Sequence, residues 1–187
     1  MTHAAGLVAG TVLTIAHDAT IDSTSKIDAS IKGYGSGTGS GKGVTGVVNG
    51  GGGGYGGIGG KGSDGTAGGP TYGSMSEPVD LGSGGGPNNY AWENYPGGAG
   101  GGAIRLTVAG TLTLNGRASA DGGNGQGAHG YGGGGGSGGS LYPVLMSNKA
   151  LGGVNTSDYD SVTGAGQRGV ADGVGLNNIG LLVRYLG

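Results

Sequence analysis

Glycine occupies every third position from Gly50 to Gly68. A three-residue period fits neither the helix period of 3.6 nor the strand period of 2. It fits an extended polyproline-II-type helix, which has about three residues per turn and rises about 3.1 Å per residue. An edge without Cβ atoms lets another backbone come close, as at the collagen axis. Gly50, Gly53, Gly56, Gly59, Gly62, Gly65 and Gly68 are therefore the expected positions of backbone packing. Val at Gly56 is expected to hurt far more than Ala at Lys61. Such a chain suits a structural or surface protein before it suits an enzyme.

Glycine makes up 55 of the 187 residues, against only 5 prolines. No Gly-X-Y repeat runs through the whole chain, so collagen is excluded. The same composition suits low complexity, because glycine loses the most backbone entropy on ordering. Ordering such runs requires hydrogen bonds between neighbouring glycine segments or between copies of the chain. Phe is absent and Trp occurs once, so the apolar core must be small. The net charge is −2, which offers no polyanion-binding surface, and nucleic acid is not an expected partner. Without cysteine there is no disulfide, thiol chemistry or thiolate metal site. No apolar run is long enough to span a membrane, and the first ten residues lack a signal-peptide pattern. Two origins fit that start: a protein used without signal-dependent export, as virion proteins are, or a segment of a larger secreted protein.

The apolar residues alternate. In 7–32, Leu13 and Ile15 alternate with Val12 and Thr14, and Ile27, Ala29 and Ile31 alternate with Asp28 and Ser30. In 102–120, Ile104, Leu106 and Val108 share a face, followed by Leu112 and Leu114. Both stretches read as strands. Residues 139–151 begin likewise, and Pro143 implies an edge or a bulge there. Residues 179–185 read as a last strand. Gly102 and Gly139 open similar blocks 37 residues apart, an internal repeat of strand block plus glycine block. The period-two stretch 33–43 is either a strand with one bare face or a flexible loop. No segment has helical periodicity. Residues 70–98 and 152–178 read as polar insertions in a single domain spanning 1–187.

Several motifs are matched only in part. Gly125–Gly130 fits GxGxxG but lacks the strand-to-helix context that dinucleotide binding needs. Around Lys42, a phosphate-binding loop would need Gly at Ser36 and Ser or Thr at Gly43. Gly59–Asp64 begins a calcium-binding nonapeptide, yet it is a single copy with Thr66 at the large apolar position. His3, His17 and His129 have no ligand spacing among themselves. Asp158 and Asp160 flank Tyr159 as paired acids would in a polysaccharide-cleaving enzyme. No basic residue stands near them, and polar loops commonly carry such pairs. Asp18, Asp22 and Asp28 read as solvent-face or turn residues. Asn155–Ser157 is a formal glycosylation sequon.

Tyr90, Trp92, Glu93, Asn94 and Tyr95 form the densest aromatic cluster. Aromatic, amide and carboxylate groups together suit a sugar or protein surface. The competing expectation is that Trp92 packs on the small core.

Three strings, 51–62, 97–125 and 132–142, with the opening strand segment, resemble the glycine-rich repeat region of large secreted and cell-surface proteins of bacteria and plants. That resemblance covers about residues 10–142 and ends after Pro143. It implies a surface or extracellular role and carries no catalytic residues. By period alone, the glycine blocks are also similar to polyglycine-II bundles in phage tail-fibre tip adhesins. The expected fold is all-β: a short-strand β-solenoid or sandwich with polyglycine-II segments. The expected function is non-enzymatic and cofactor-free: a self-associating subunit of an extracellular or virion surface assembly, forming a filament or sheath. The alternative is an adhesin using the 70–98 loop. A flat ice-binding face is a third possibility.

Overall fold

Alternating β-branched residues give short strands, and glycine gives everything between them. The computed structural model describes residues 1–90, 94–145, 180–181 and 184–185, and no helix occurs among them. The first segment forms β1 (Thr11–Ile15), β2 (Ala19–Ile21) and β3 (Lys26–Asp28). The second forms β4 (Ala103–Val108), β5 (Leu112–Leu114) and β6 (Arg117–Ser119). The two segments stack in parallel register, with Thr11 beside Ile104, Ala19 beside Leu112 and Lys26 beside Arg117. A hairpin of β7 (Gly127–Ala128) and β8 (Tyr131–Gly132) follows.

β9 (Ser140–Leu145) then pairs with β4. Ala103 faces Ser140, at the same 37-residue offset that separates the two similar sequence blocks. The last stretch contributes β10 (Gly180–Leu181) and β11 (Arg184–Tyr185), both parallel to β9. Pro143, expected at an edge or bulge, instead lies in a strand with neighbours on both sides. β10 pairs at Ser140–Leu141 and β11 at Val144–Leu145, so the registers on that side flank the proline. A proline there removes one ladder bond and leaves the rest of the strand paired.

The apolar core is two small clusters inside the strand layers. Ile27, Ala29, Ile104, Ala120 and Leu141 form one, and Leu106, Val108 and Leu112 form the other. Leu13 packs against both. Asp18, Asp22 and Asp28 all fix turns: their carboxylates accept the amides of Thr111, Thr24 and Ser30.

Beyond the strands, the chain passes back and forth as extended glycine-rich runs at 33–36, 42–46, 50–54, 59–62, 66–69, 82–89, 95–102, 120–126 and 132–140, with turns at 37–41 and 62–66. Their hydrogen bonds repeat every third residue. Gly50 and Gly53 donate to Gly132 and Gly135, and Gly51 and Gly54 donate to Val44 and Gly41. Between them Gly52 donates to Gly60. Gly133, Gly136 and Gly139 donate to Gln126, Gly123 and Ala120, while Gly134 and Ser137 donate to Gly86 and Ser83. Gly82, Gly85 and Asn88 likewise donate to Gly101, Gly98 and Tyr95. Each turn of a run thus serves different neighbours with successive amides.

Contacts this close leave no room for a side chain. A Cβ at Gly50 or Gly68 would lie 1.9 Å from the carbonyl oxygen of Gly86 or Gly59. At Gly53, Gly59 and Gly62 it would meet the oxygens of Ser83, Gly52 and Asn49 at 2.4, 2.0 and 2.7 Å. Gly56 and Gly65 behave differently, since both are exposed. Gly56 lies in the bend after Tyr55, and Gly65 has φ +86° with open space around it. The chain reverses at both places, and the sequence frame continues through the reversals although the packing does not. Glycines outside the frame are packed too: a Cβ at Gly51 or Gly69 would lie 2.0 or 1.8 Å from the oxygen of Ala67 or Gly41. A run surrounded by others needs glycine at every position of its turn.

The network also takes in residues the sequence suggests as loop. Gly82–Gly86 are buried and bonded on several sides, so the 70–98 stretch is drawn in from residue 82 onward. The 33–43 stretch is neither strand nor free loop. Gly33, Tyr34, Gly37 and Gly43 donate to Gly100, Gly82, Gly85 and Gly84. Residues 152–178 lie outside the described residues.

A hydroxyl cluster joins the runs to the strands. Tyr55 donates to Ser140 Oγ at 2.6 Å, and Ser140 donates to the Asp80 carbonyl at 2.5 Å. Ser83 Oγ donates to Tyr72 at 2.9 Å and accepts the Gly41 amide at 2.8 Å. The Tyr55 and Tyr72 rings meet edge to face, 5.0 Å apart. Burial pushes both phenols above their ordinary range, so they remain neutral donors.

Two stability outcomes follow from this packing. Gly50→Ala should cost about 3 kcal/mol or more, because overpacking costs about 1–3 kcal/mol even where side chains yield. Lys61→Ala, on an exposed residue, should stay within about 0.5 kcal/mol. Equal urea midpoints for the two variants would contradict backbone packing. Ile31 is β-branched, exposed and held at φ 59°. Ile31→Asn should raise stability by about 0.5–1 kcal/mol, since Asn tolerates that region better; a lowered melting temperature would count against strain there.

Candidate functional site

At one end the glycine runs join the strand layers. Gly102 donates to Ala29, Gly139 to Ala120 and Gly101 to Ser137. At the other end lie the segments 44–49, 62–66 and 126–132, together with residues 87–90 and 94–95. These loops are tied to one another. Gly46 pairs with Asn88 and Asn49 with Gly132 as isolated bridges. The Asp64 carboxylate accepts the amides of Val48, Asn49 and Thr66 at 3.2, 3.3 and 3.1 Å. Asn49 Nδ2 donates to Ser63 Oγ at 2.5 Å. The Tyr90 ring stacks on Tyr131, with centroids 4.3 Å apart and planes 23° from parallel. One continuous surface results.

Local sequence explains several of these placements. β7 and β8 are joined by His129 and Gly130, with φ 52° and 88°. A two-residue hairpin with both central residues left-handed matches the natural strand twist. That turn sets Tyr131 beside Tyr90. Asn88 is fully buried; its amide donates to the Tyr95 carbonyl at 3.1 Å, and its Oδ1 accepts the Tyr95 amide at 2.5 Å. This closed pair holds residues 88 and 95 side by side.

The expected binding residues divide accordingly. Tyr90 and Asn94 are exposed on this surface, and Tyr95 is half-buried at its base. Trp92 and Glu93 lie outside the described residues. Tyr131 is half-exposed on this surface and Asp64 exposed, while Asn49 and Asn88 are buried beneath it and tie its loops together. The exposed side chains here include Val47, Asn89, Asn124, Gln126 and His129. Neutral amides and tyrosine hydroxyls dominate over charge.

Partial burial raises the Asp64 pKa, but the hydroxyl and amide of Thr66 and the amides of Asn49 and Val48 outweigh it and hold the acid at about 2. Asp121, within the strand layers, is raised by burial against the pull of Arg117. Among the described residues no three His, Cys, Asp or Glu side chains come together as metal ligands would. His3, His17 and His129 are not brought together, and Gly59–Asp64 serves as the approach to the loop staple.

No family model, curated protein or solved structure matches this chain.

The staple has a pH signature. A carboxylate whose folded pKa is depressed stabilises fully above its unfolded pKa, about 3.9, and loses that stabilisation as pH falls through the folded value. Asp64→Asn should therefore lower the melting temperature at neutral pH, and the difference from wild type should close as pH drops from about 4 toward 2. A constant difference across that window would contradict the staple.

Proposed function

We propose that this chain is a non-enzymatic recognition module of an extracellular or virion surface assembly. Its glycine runs would be polyglycine-II helices, and its stacked strand layers a short β-solenoid that carries them. The loop end would act as an adhesin surface for a neutral surface glycan. The observation behind this reading is the convergence of four interlocked loops at the end opposite the strands. Amides and a tyrosine pair supply hydrogen bonds and ring area, the two elements a sugar surface needs. The rigid bundle below holds those loops in place, so little ordering is lost on binding.

A self-associating filament or sheath subunit is the second reading. Glycine amides already paired within one chain no longer call for a second copy. What favours association is β1, which among the described residues pairs on one side only, with β4. An unpaired strand edge templates further strands.

A glycan array with electron microscopy separates the two. The recognition reading expects retention of a neutral glycan by a dispersed protein. Tyr90→Ala should weaken it tenfold or more, equivalent to about 1.4 kcal/mol, without a change in melting temperature. Filaments at micromolar concentration with no glycan retained would overturn that reading and support the second.

A further inference from the structure

Asn-Gly steps are chemically reactive because glycine leaves the following backbone nitrogen unshielded. The sequence contains Asn49-Gly50, Asn115-Gly116 and Asn124-Gly125. The fold treats them differently. The Gly50 amide donates to the Gly132 carbonyl at 2.8 Å, and Asn49 is only 1% exposed. The Gly116 amide donates to the Ile21 carbonyl at 2.9 Å. Among the described residues, the Gly125 amide has no acceptor and the Asn124 side chain has no partner, and Asn124 is exposed.

We propose that Asn124 is a site of spontaneous deamidation and backbone isomerisation, while Asn49 and Asn115 are protected by the fold. The Gly125 nitrogen gives up its proton to solvent base and attacks Asn124 Cγ. A new C–N bond forms, and the side-chain nitrogen leaves as ammonia after taking a proton from water. The product is a five-membered cyclic imide. Water then opens it at either carbonyl. Opening at Cγ leaves the normal backbone with aspartate; opening at the backbone carbonyl leaves isoaspartate, with the chain running through Cβ and Cγ. The sum is amide plus water giving acid plus ammonia. An amide nitrogen held in a hydrogen bond to a carbonyl gives up its proton less readily, which is why Asn49 and Asn115 are spared.

The location has a consequence. Asn124 adjoins Gln126, whose amide donates to the Pro96 carbonyl at 3.0 Å and whose carbonyl accepts Gly133. A carboxylate there adds negative charge to a nearly neutral loop end. The isoaspartate form also lengthens the backbone between Gly123 and Gln126 and breaks their three-residue register. Aged protein should differ from fresh protein at that end.

The test is peptide mapping of the folded full-length protein during incubation at neutral and mildly alkaline pH. Isoaspartate is read by enzymatic methyl transfer, and urea-unfolded protein serves as the reference. The expected result is conversion of Asn124 that speeds up with pH, with Asn49 and Asn115 intact in the folded state and all three converting in urea. Asn124→Gln should abolish the methyl-accepting signal in folded protein. Folded Asn124 that stays intact while the unfolded reference converts would overturn the proposal. Equal conversion of all three sites in folded protein would overturn it as well.

Discussion

A backbone amide taken out of water must find an acceptor, and in this fold that requirement falls on glycine. Leaving one buried donor unpaired costs about 1–3 kcal/mol, while a made bond contributes about 1 kcal/mol net. Ordering each residue's backbone costs about 1–2 kcal/mol, and glycine stands at the unfavourable end. A lone extended glycine run therefore cannot hold itself. Side by side, runs without Cβ atoms approach until every turn reaches several neighbours. Gly50, Gly51 and Gly52 donate to three different runs in succession. The hydrogen bonds then roughly offset the ordering cost, and close packing together with the two apolar clusters supplies the margin.

That division of labour explains how the halves depend on each other. The strand layers bury the apolar side chains, Ile27, Ile104 and Leu141 in one cluster and Leu106, Val108 and Leu112 in the other. The glycine runs bury backbone and small polar side chains such as Ser83, Ser137 and Ser140. The tyrosine and serine hydroxyls at the junction bond to one another and to backbone carbonyls and amides, so these unlike interiors meet through hydrogen bonds. Ser140 opens β9 and also accepts Tyr55, so one residue registers the two halves against each other.

The period of three was legible at Gly50–Gly68, and the strands were legible from Leu13, Ile15, Ile104, Leu106 and Val108. The 37-residue repeat even predicts which residues pair, because a repeated block stacks on its copy in register. What the pattern hides is where a run reverses. Gly56 and Gly65 keep the frame yet stand in turns, since glycine suits a turn as well as a packed edge. Gly82–Gly86 reads as loop because it lies in a proline-rich stretch, between Pro78 and Pro87. At the candidate site, Tyr90 is visible in an aromatic cluster and Asp64 only as the end of a partial calcium motif, while Tyr131 carries no signal. Their roles arise from loops far apart in sequence that the bundle brings to one end.

The glycine runs are held by hydrogen bonds within a single chain. Amide hydrogen exchange on the dispersed, full-length protein tests this most directly. Gly85, Gly134 and Gly136 lie outside all strands, and each donates to a neighbouring run. Their exchange should be slow and governed by global unfolding, as slow as that of Leu106 or Val108 in β4. Exchange at unstructured-chain rates for these glycines, while β4 stays protected, would contradict the account.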